Sequence, residues 1–216
     1  MKKSSRPSTA EARWAGAHRA ETHRVETRGV ENRGAGTHRV VLGIDPGTLV
    51  TVYGIVSRRG NVLQAVASGI IRNAPETGLA DRLLAIHGEL TRLIRTHRPE
   101  AISVESAFTG KNAQSALKLG HARGVALLAA AQSGIPPVAI APREAKLAVT
   151  GRGNATKEQV RYMVASLLGI TPRSLPLDAS DALAVALTLL LRQSQPRPRP
   201  SDWGEFIKAH PERVRA

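Results

Sequence analysis

Between Val40 and Leu191 the hydrophobic period changes from two to 3.6 in a fixed order, and that order constrains the fold more than any other feature. Val40–Ile44 is a short apolar run that stops at Asp45-Pro46-Gly47, which is turn chemistry. Thr51–Val56 and Val62–Ile71 read as two further strands, joined by a turn at Arg58–Asn61. From Leu79 to Arg98 the side chains of Leu79, Leu83, Ile86, Leu90, Leu93 and Ile94 fall on one helical face. Ala101–Val104 is a strand that runs into Glu105, and Ala113–Gln132 is a long Ala/Leu-rich helix ended by Gly134 and the Pro136-Pro137 pair. Val138–Ile140 is a last short strand, after which helices over about Thr156–Leu168 and Asp178–Leu191 close the unit. The order βββαβαβαα, meander first and βα alternation after, implies an α/β domain with a mixed five-stranded sheet flanked by helices.

The flanks show no such pattern. Residues 1–39 carry nine Lys/Arg and four Glu, and Glu21–Arg33 loosely repeats itself as ETHRV, ETRGV, ENRG. That low-complexity texture is expected to be disordered, either as a basic arm on DNA or as a dispensable extension. Residues 192–216 open with alternating Pro and Arg over Gln193–Pro200, a stiff solvated linker, before Trp203 and Phe206. The expected divisions are therefore 1–39, a folded unit 40–191, and a tail 192–216.

Composition narrows the class. No apolar run reaches the roughly 18 residues of a membrane span, and the Lys/Arg-dotted N-terminus lacks the apolar core of a secretory signal. With no cysteine the chain has no disulfide, thiolate metal site or cysteine nucleophile, which fits a reducing, cytoplasmic location. Thirty-one Lys and Arg against 17 Asp and Glu give a net charge of +14, which favours polyanionic partners such as nucleic acid. Six aromatic residues are too few for a surface built to stack a run of single-stranded bases.

Acidic residues sit at the ends of elements. Asp45 closes the first strand and Glu105 the fourth; if those strands are parallel neighbours, both carboxylates emerge at one sheet edge, where α/β folds bind ligands. Asp178 and Asp181 are three apart at a helix start and share a face. Four carboxylates at one edge repel unless protonated or neutralised by cations, and oxygen-only ligation suits Mg²⁺ or Mn²⁺. Two such ions about 3.5–4 Å apart serve phosphodiester cleavage. Singly, each position has a plainer reading: a turn, a solvated strand end, a helix N-cap with an acid in its first turn. Together they are four of only ten acids between residues 40 and 191. Beside them the same span holds 16 Lys/Arg and six other acids, so the site would be an acidic hole in a basic surface.

Thr156-Lys157-Glu158-Gln159 fits a capping box, which puts Lys157 in a first helical turn where a cation is disfavoured unless a phosphate arrives there. A solvated lysine is the alternative. Gly151 and Gly153 leave the preceding loop free to clasp DNA. Phe108, in the segment 106–112, is either a wedge for a base step or a plug beneath the loop.

The segments LGIDPGT, VESAF, KNAQSALKLGHARG, AVTGRGNATKEQV and DASDALAVAL, in this order and spacing, resemble the RuvC family of Holliday-junction resolvases. The resemblance runs from about Val40 to Leu191 and implies a ribonuclease H-like fold. It implies that Asp45, Glu105, Asp178 and Asp181 are metal-binding catalytic residues, holding two Mg²⁺ per subunit with Mn²⁺ as a substitute. Lys146 and Lys157 fall on lysine positions near the scissile phosphate, and Phe108 on the aromatic that acts at the strand-exchange point. Lys111, Lys118 and Arg123 of KNAQSALKLGHARG become DNA-binding candidates. The activity implied is structure-selective: in recombination and DNA repair, a homodimer nicks two like-polarity strands of a four-way junction, leaving 5′-phosphate and 3′-hydroxyl ends. Its junctions are delivered by the RuvA–RuvB branch-migration complex.

Val52 and Ser106-Ala107 depart from the family pattern, away from the expected metal ligands, and both extensions exceed its usual length. Three other readings compete. Asp45-Pro46-Gly47-Thr48 also resembles the phosphate loop of actin and sugar-kinase ATP-binding proteins, but 152 core residues leave no room for their duplicated domain. A non-cleaving branched-DNA-binding protein would not need all four carboxylates. The shorter YqgF-like nucleases share the first motif but not the lysine-bearing KNAQSALKLGHARG.

Overall fold

Strand β2 (His38–Asp45) buries Val41, Leu42 and Ile44 to 1% exposure or less, so both of its faces are covered and it lies inside the sheet. The computed structural model describes residues 18–23, as backbone, and residues 38–106 and 113–192. Its other strands are β1 (His18–His23), β3 (Val50–Arg59), β4 (Val62–Asn73), β5 (Ala101–Glu105) and β6 (Pro137–Ile140). Five helices accompany them: α1 (Leu79–His97), α2 (Ala113–Gln132), α3 (Pro142–Thr150), α4 (Lys157–Leu167) and α5 (Leu177–Arg192). The five expected strands run β4-β3-β2-β5-β6 across the sheet. The meander pairs antiparallel, while β5 and β6 add in parallel to β2.

Two features differ from the sequence reading. Residues 18–23, inside the segment expected to be disordered, form β1 and extend the sheet to six strands; His18 lies opposite Asn73 and His23 opposite Ser68. Edge pairing uses backbone N–H and C=O groups, which an apolar pattern does not report. Helix α3 also had no counterpart. Pro142 opens it, Ala145 and Val149 are its buried side chains, and Gly151 ends it at φ 73°. Two buried residues one turn apart are too weak a periodic signal to read from sequence.

Alternation along the strands sorts the core into two layers. Leu42, Ile44, Tyr53 and Ile55 pack with Ile86, Leu90 and Leu93 of α1 and with Ala122, Ala126 and Ala129 of α2. Val41 and Val56 point the other way, against Val164 of α4 and Leu183 and Leu187 of α5. Gly43 and Gly54 share that second face and are cross-strand partners. A Cβ on Gly43 would lie 2.3 Å from the Ala182 carbonyl oxygen, and one on Gly54 would lie 2.7 Å from the Leu183 nitrogen. The paired glycines thus form a bare patch on which the α5 main chain rests. Ser103, beside Gly43 in the parallel register, donates from Oγ to the Val185 carbonyl at 3.1 Å.

Gly43→Ala is expected to destabilise by about 1–3 kcal/mol or more, because the helix backbone cannot give way as a side chain would. Gly120→Ala, on α2 with nothing within 4 Å of its Cβ, is expected to be stabilising by about 0.5–1 kcal/mol. Urea unfolding midpoints measure both, and equal shifts for the two variants would contradict the docking of α5.

Candidate active site

The same alternation that turns Gly43 toward α5 turns Asp45 there, two residues on, and Glu105 follows Ser103 in the same way. Parallel pairing of β2 with β5 places the two strand ends side by side. Asp178 and Asp181 stand in the first turns of α5, whose position is set by the glycine patch. Asp45 and Glu105 are half-buried, as is Asp181, while Asp178 is exposed.

The turn after Asp45 is clamped. Thr51, fully buried, donates from Oγ1 to the Gly47 carbonyl at 2.7 Å and accepts from the Gly47 N–H at 3.2 Å. Asn73 donates from Nδ2 to the Thr48 carbonyl at 2.9 Å and from its backbone N–H to the Leu49 carbonyl at 2.9 Å. Neither clamp residue emerged from the sequence. Thr51 is four residues from its partner, but Asn73 is 25 from Thr48, and only the β3–β4 register brings them together.

The four carboxylates feel one another. Burial, then the charge of Asp181, with a smaller contribution from Asp178, pushes the Asp45 carboxyl up to about 6, against the opposing charge of Lys157. Glu105 is pushed up to about 7 by burial first and then by Asp45 and Asp181, with Lys157 and Lys146 opposing. Lys157 Nζ lies 3.0 Å from Asp181 Oδ2, and that hydrogen bond and charge raise the lysine above its ordinary value. Thr156 caps α4 in the expected capping box, with Gln159 as its reciprocal partner.

Among the described residues no three His, Asp or Glu side chains are drawn into a ready-made ion cage. The carboxylates lie near enough for their charges to act on one another without closing into a cage. An all-oxygen donor set, two members of which retain protons toward neutrality, fits a hard divalent cation that would supply the missing positive charge.

The other candidates divide. Lys146, on α3, is close enough for its charge to act on Glu105. Lys118 and Arg123 lie on α2, in the helix layer on the far face of the sheet from α5, and are not brought to the carboxylates. Phe108 and Lys111 lie outside the described residues.

A family model described as "Crossover junction endodeoxyribonuclease RuvC" matches residues 41–189. A curated protein of that description from Chlorobium phaeovibrioides is 46% identical over 187 residues, covering 81% of this chain and 99% of the relative. Another, from Pelotomaculum thermopropionicum, is 48% identical over 148 residues, covering 68% and 90%. Among solved structures, Thermus thermophilus RuvC in complex with a Holliday junction substrate superposes with a TM-score of 0.68 at 34% identity, over 72% of this chain and 94% of that one. A yeast mitochondrial Holliday junction resolvase, at TM-score 0.51 and 15% identity over 71% and 80%, shares the fold.

Because Asp45 and Glu105 hold protons more tightly folded than unfolded, the metal-free protein has the full benefit of that proton binding below the ordinary carboxylate range and loses it as pH rises through about 6 to 7. Asp45→Asn removes one such group. At pH 8 without metal this variant is expected to unfold about 1–3 kcal/mol higher than the parent, the gap closing near pH 4. Added Mg²⁺ should raise the parent more than the variant. Urea titrations at the two pH values check this; a variant weaker than the parent at pH 8 would contradict the crowding of the site.

Proposed function

The chain belongs to the RuvC family of crossover junction endodeoxyribonucleases, and from that membership we propose that it resolves Holliday junctions in recombination and repair by cutting at Asp45, Glu105, Asp178 and Asp181. The observation that carries the reading is the convergence of four carboxylates, two with raised protonation, beside a lysine on a helix N-terminus.

Asp45, Glu105, Asp178 and Asp181 would hold Mg²⁺, two ions per subunit with Mn²⁺ as a substitute, which when bound supplies charge neutralisation and water activation for phosphodiester cleavage. The Thr51 and Asn73 clamps fix the turn that carries Asp45, so the carboxylate is oriented before substrate arrives. Lys157 neutralises Asp181 in the free protein. On DNA its place in the first turn of α4 presents the ammonium, together with the free N–H groups of the helix end, to a phosphate. Lys146 adds a second positive charge on the Glu105 side. The ends left are 5′-phosphate and 3′-hydroxyl.

Two like-polarity cuts call for two sites related by a two-fold axis, hence a homodimer. In support, Leu117 and Leu128 of α2 are 61% and 50% exposed, on one face with the bare Gly120 and Gly124 between them. A junction delivered by RuvA–RuvB is the expected substrate, with Lys111, Lys118, Arg123 and Phe108 as further DNA contacts, in the cytoplasm. No helix among the described residues is long and apolar enough to cross a membrane.

The test sets a synthetic four-way junction beside linear duplex of the same sequence, with Mg²⁺ or with EDTA. Paired symmetric nicks confined to the junction and lost in EDTA are expected. Asp45→Asn should keep junction binding and lose at least a hundredfold in cutting rate, about 3 kcal/mol of barrier. Cutting of both substrates alike would discard junction selectivity, and tight binding with no cutting would leave a structural DNA binder. Lys157→Ala should reduce the slope of log affinity against log salt by about 1.

A further inference from the structure

Along α4 lies a cavity of about 470 Å³, lined by Thr150, Arg152, Ala155, Glu158, Gln159, Tyr162 and Met163. Among the described residues the Phe, Trp and Tyr side chains are those of Tyr53 and Tyr162 alone. Tyr53 is fully buried in the core, whereas Tyr162 is 61% exposed and forms a wall of this groove.

The walls are held in place. Thr150 Oγ1 accepts from the Arg152 N–H at 3.1 Å and donates to the Lys146 carbonyl at 2.7 Å. Gly153 packs so tightly on the Arg143 side chain that a Cβ there would lie 2.8 Å from Cγ. Gln159 Oε1 is committed to the Thr156 N–H at 3.0 Å, which leaves the amide nitrogen to donate. The groove therefore offers an aromatic face, an apolar floor of Ala155 and Met163, and donors and acceptors at its edge. Arg152 and Glu158 bring opposite charges to the groove, so its aromatic wall and apolar floor suit a flat, hydrogen-bonding heterocycle better than a bare phosphate.

Its position says where such a group comes from. Glu158 directly follows Lys157, so the groove begins where the site ends. Lys157 and Tyr162 are five residues apart, a rise of about 7.5 Å along the helix with the two side chains on different faces, a span that a strand leaving the Lys157 phosphate covers in a few nucleotides. Arg152 lines the groove and Arg143 packs on Gly153 beside it, both exposed, and such charges suit a DNA backbone. Resting on the junction-cutting reading above, we propose that this groove takes one unpaired nucleobase of the cut strand, within about three nucleotides of the scissile phosphate, stacked on Tyr162. It is a single-base pocket, compatible with a chain too poor in aromatics for a stacking platform.

The test uses the full chain in EDTA, so that junctions are bound and not cut. 2-Aminopurine is placed in turn at each position within three nucleotides of the cut. The parent is expected to change the fluorescence at one position; Tyr162→Phe keeps that signal and Tyr162→Ala loses it. Junction affinity should fall about 5- to 100-fold in Tyr162→Ala. An abasic site at the responding position should weaken the parent by a similar factor and the Ala variant hardly at all, a coupling that misfolding cannot imitate. Parental binding that responds to neither change, in a protein that still cuts junctions with Mg²⁺, overturns this inference alone. A parent that binds no junction overturns the functional reading and this inference with it.

Discussion

Helix α5 rests its main chain directly on two bare glycines, and the placement of the whole carboxylate cluster depends on that contact. Gly43 and Gly54 face each other across β2 and β3, leaving no side chain where the backbone at Ala182, Leu183 and Ala186 comes down. The close approach fixes how far along the sheet α5 sits, and so where Asp178 and Asp181 stand relative to the strand ends. Strand alternation does the rest, since Asp45 and Glu105 occupy the positions that continue the Gly43 and Ser103 rows. A loop-borne set of carboxylates would have no such register; here all four are on, or within the first turns of, packed elements.

That arrangement is electrostatically unfavourable by itself. Asp45 and Glu105 are half-buried and pushed up to about 6 and about 7, and the only ion pair described at the site is that of Lys157 with Asp181. On the proposed reading, stability is given up at the place where a cation and a phosphate would bind, a common relation between active sites and the folds that carry them. Beyond these four carboxylates residues 40–191 carry 16 Lys/Arg against six acids, a charge that draws a polyanion to the neighbourhood. Lys157 belongs to both fields: it neutralises Asp181 in the free protein and faces outward from a capped helix end.

How legible this was depends on the range of each interaction. Strands β2 to β6 and helices α1, α2, α4 and α5 are given by local periodicity and turn residues, to within a few residues at their ends. The carboxylates were legible as strand and helix termini, and the family resemblance assigned them roles. Their convergence was not legible from residues alone, because it requires knowing that β2 pairs in parallel with β5. The Gly43–Gly54 patch and the Asn73–Thr48 clamp were invisible for the same reason: each joins residues 11 or more apart through strand register. Strand β1 escaped because its pairing is backbone pairing, and α3 because it buries two residues. Lys118 and Arg123 lie on the opposite helix layer from the carboxylates, a separation that their place in the sequence does not reveal.

The most direct measurement is anomalous diffraction from crystals of the full chain soaked in Mn²⁺. The account predicts anomalous density bounded by Asp45, Glu105 and the two α5 aspartates, with the Lys157 ammonium released from Asp181. Anomalous density elsewhere on the chain, or none with the Lys157–Asp181 pair intact at saturating Mn²⁺, would contradict the assignment of this cluster as the site of cutting.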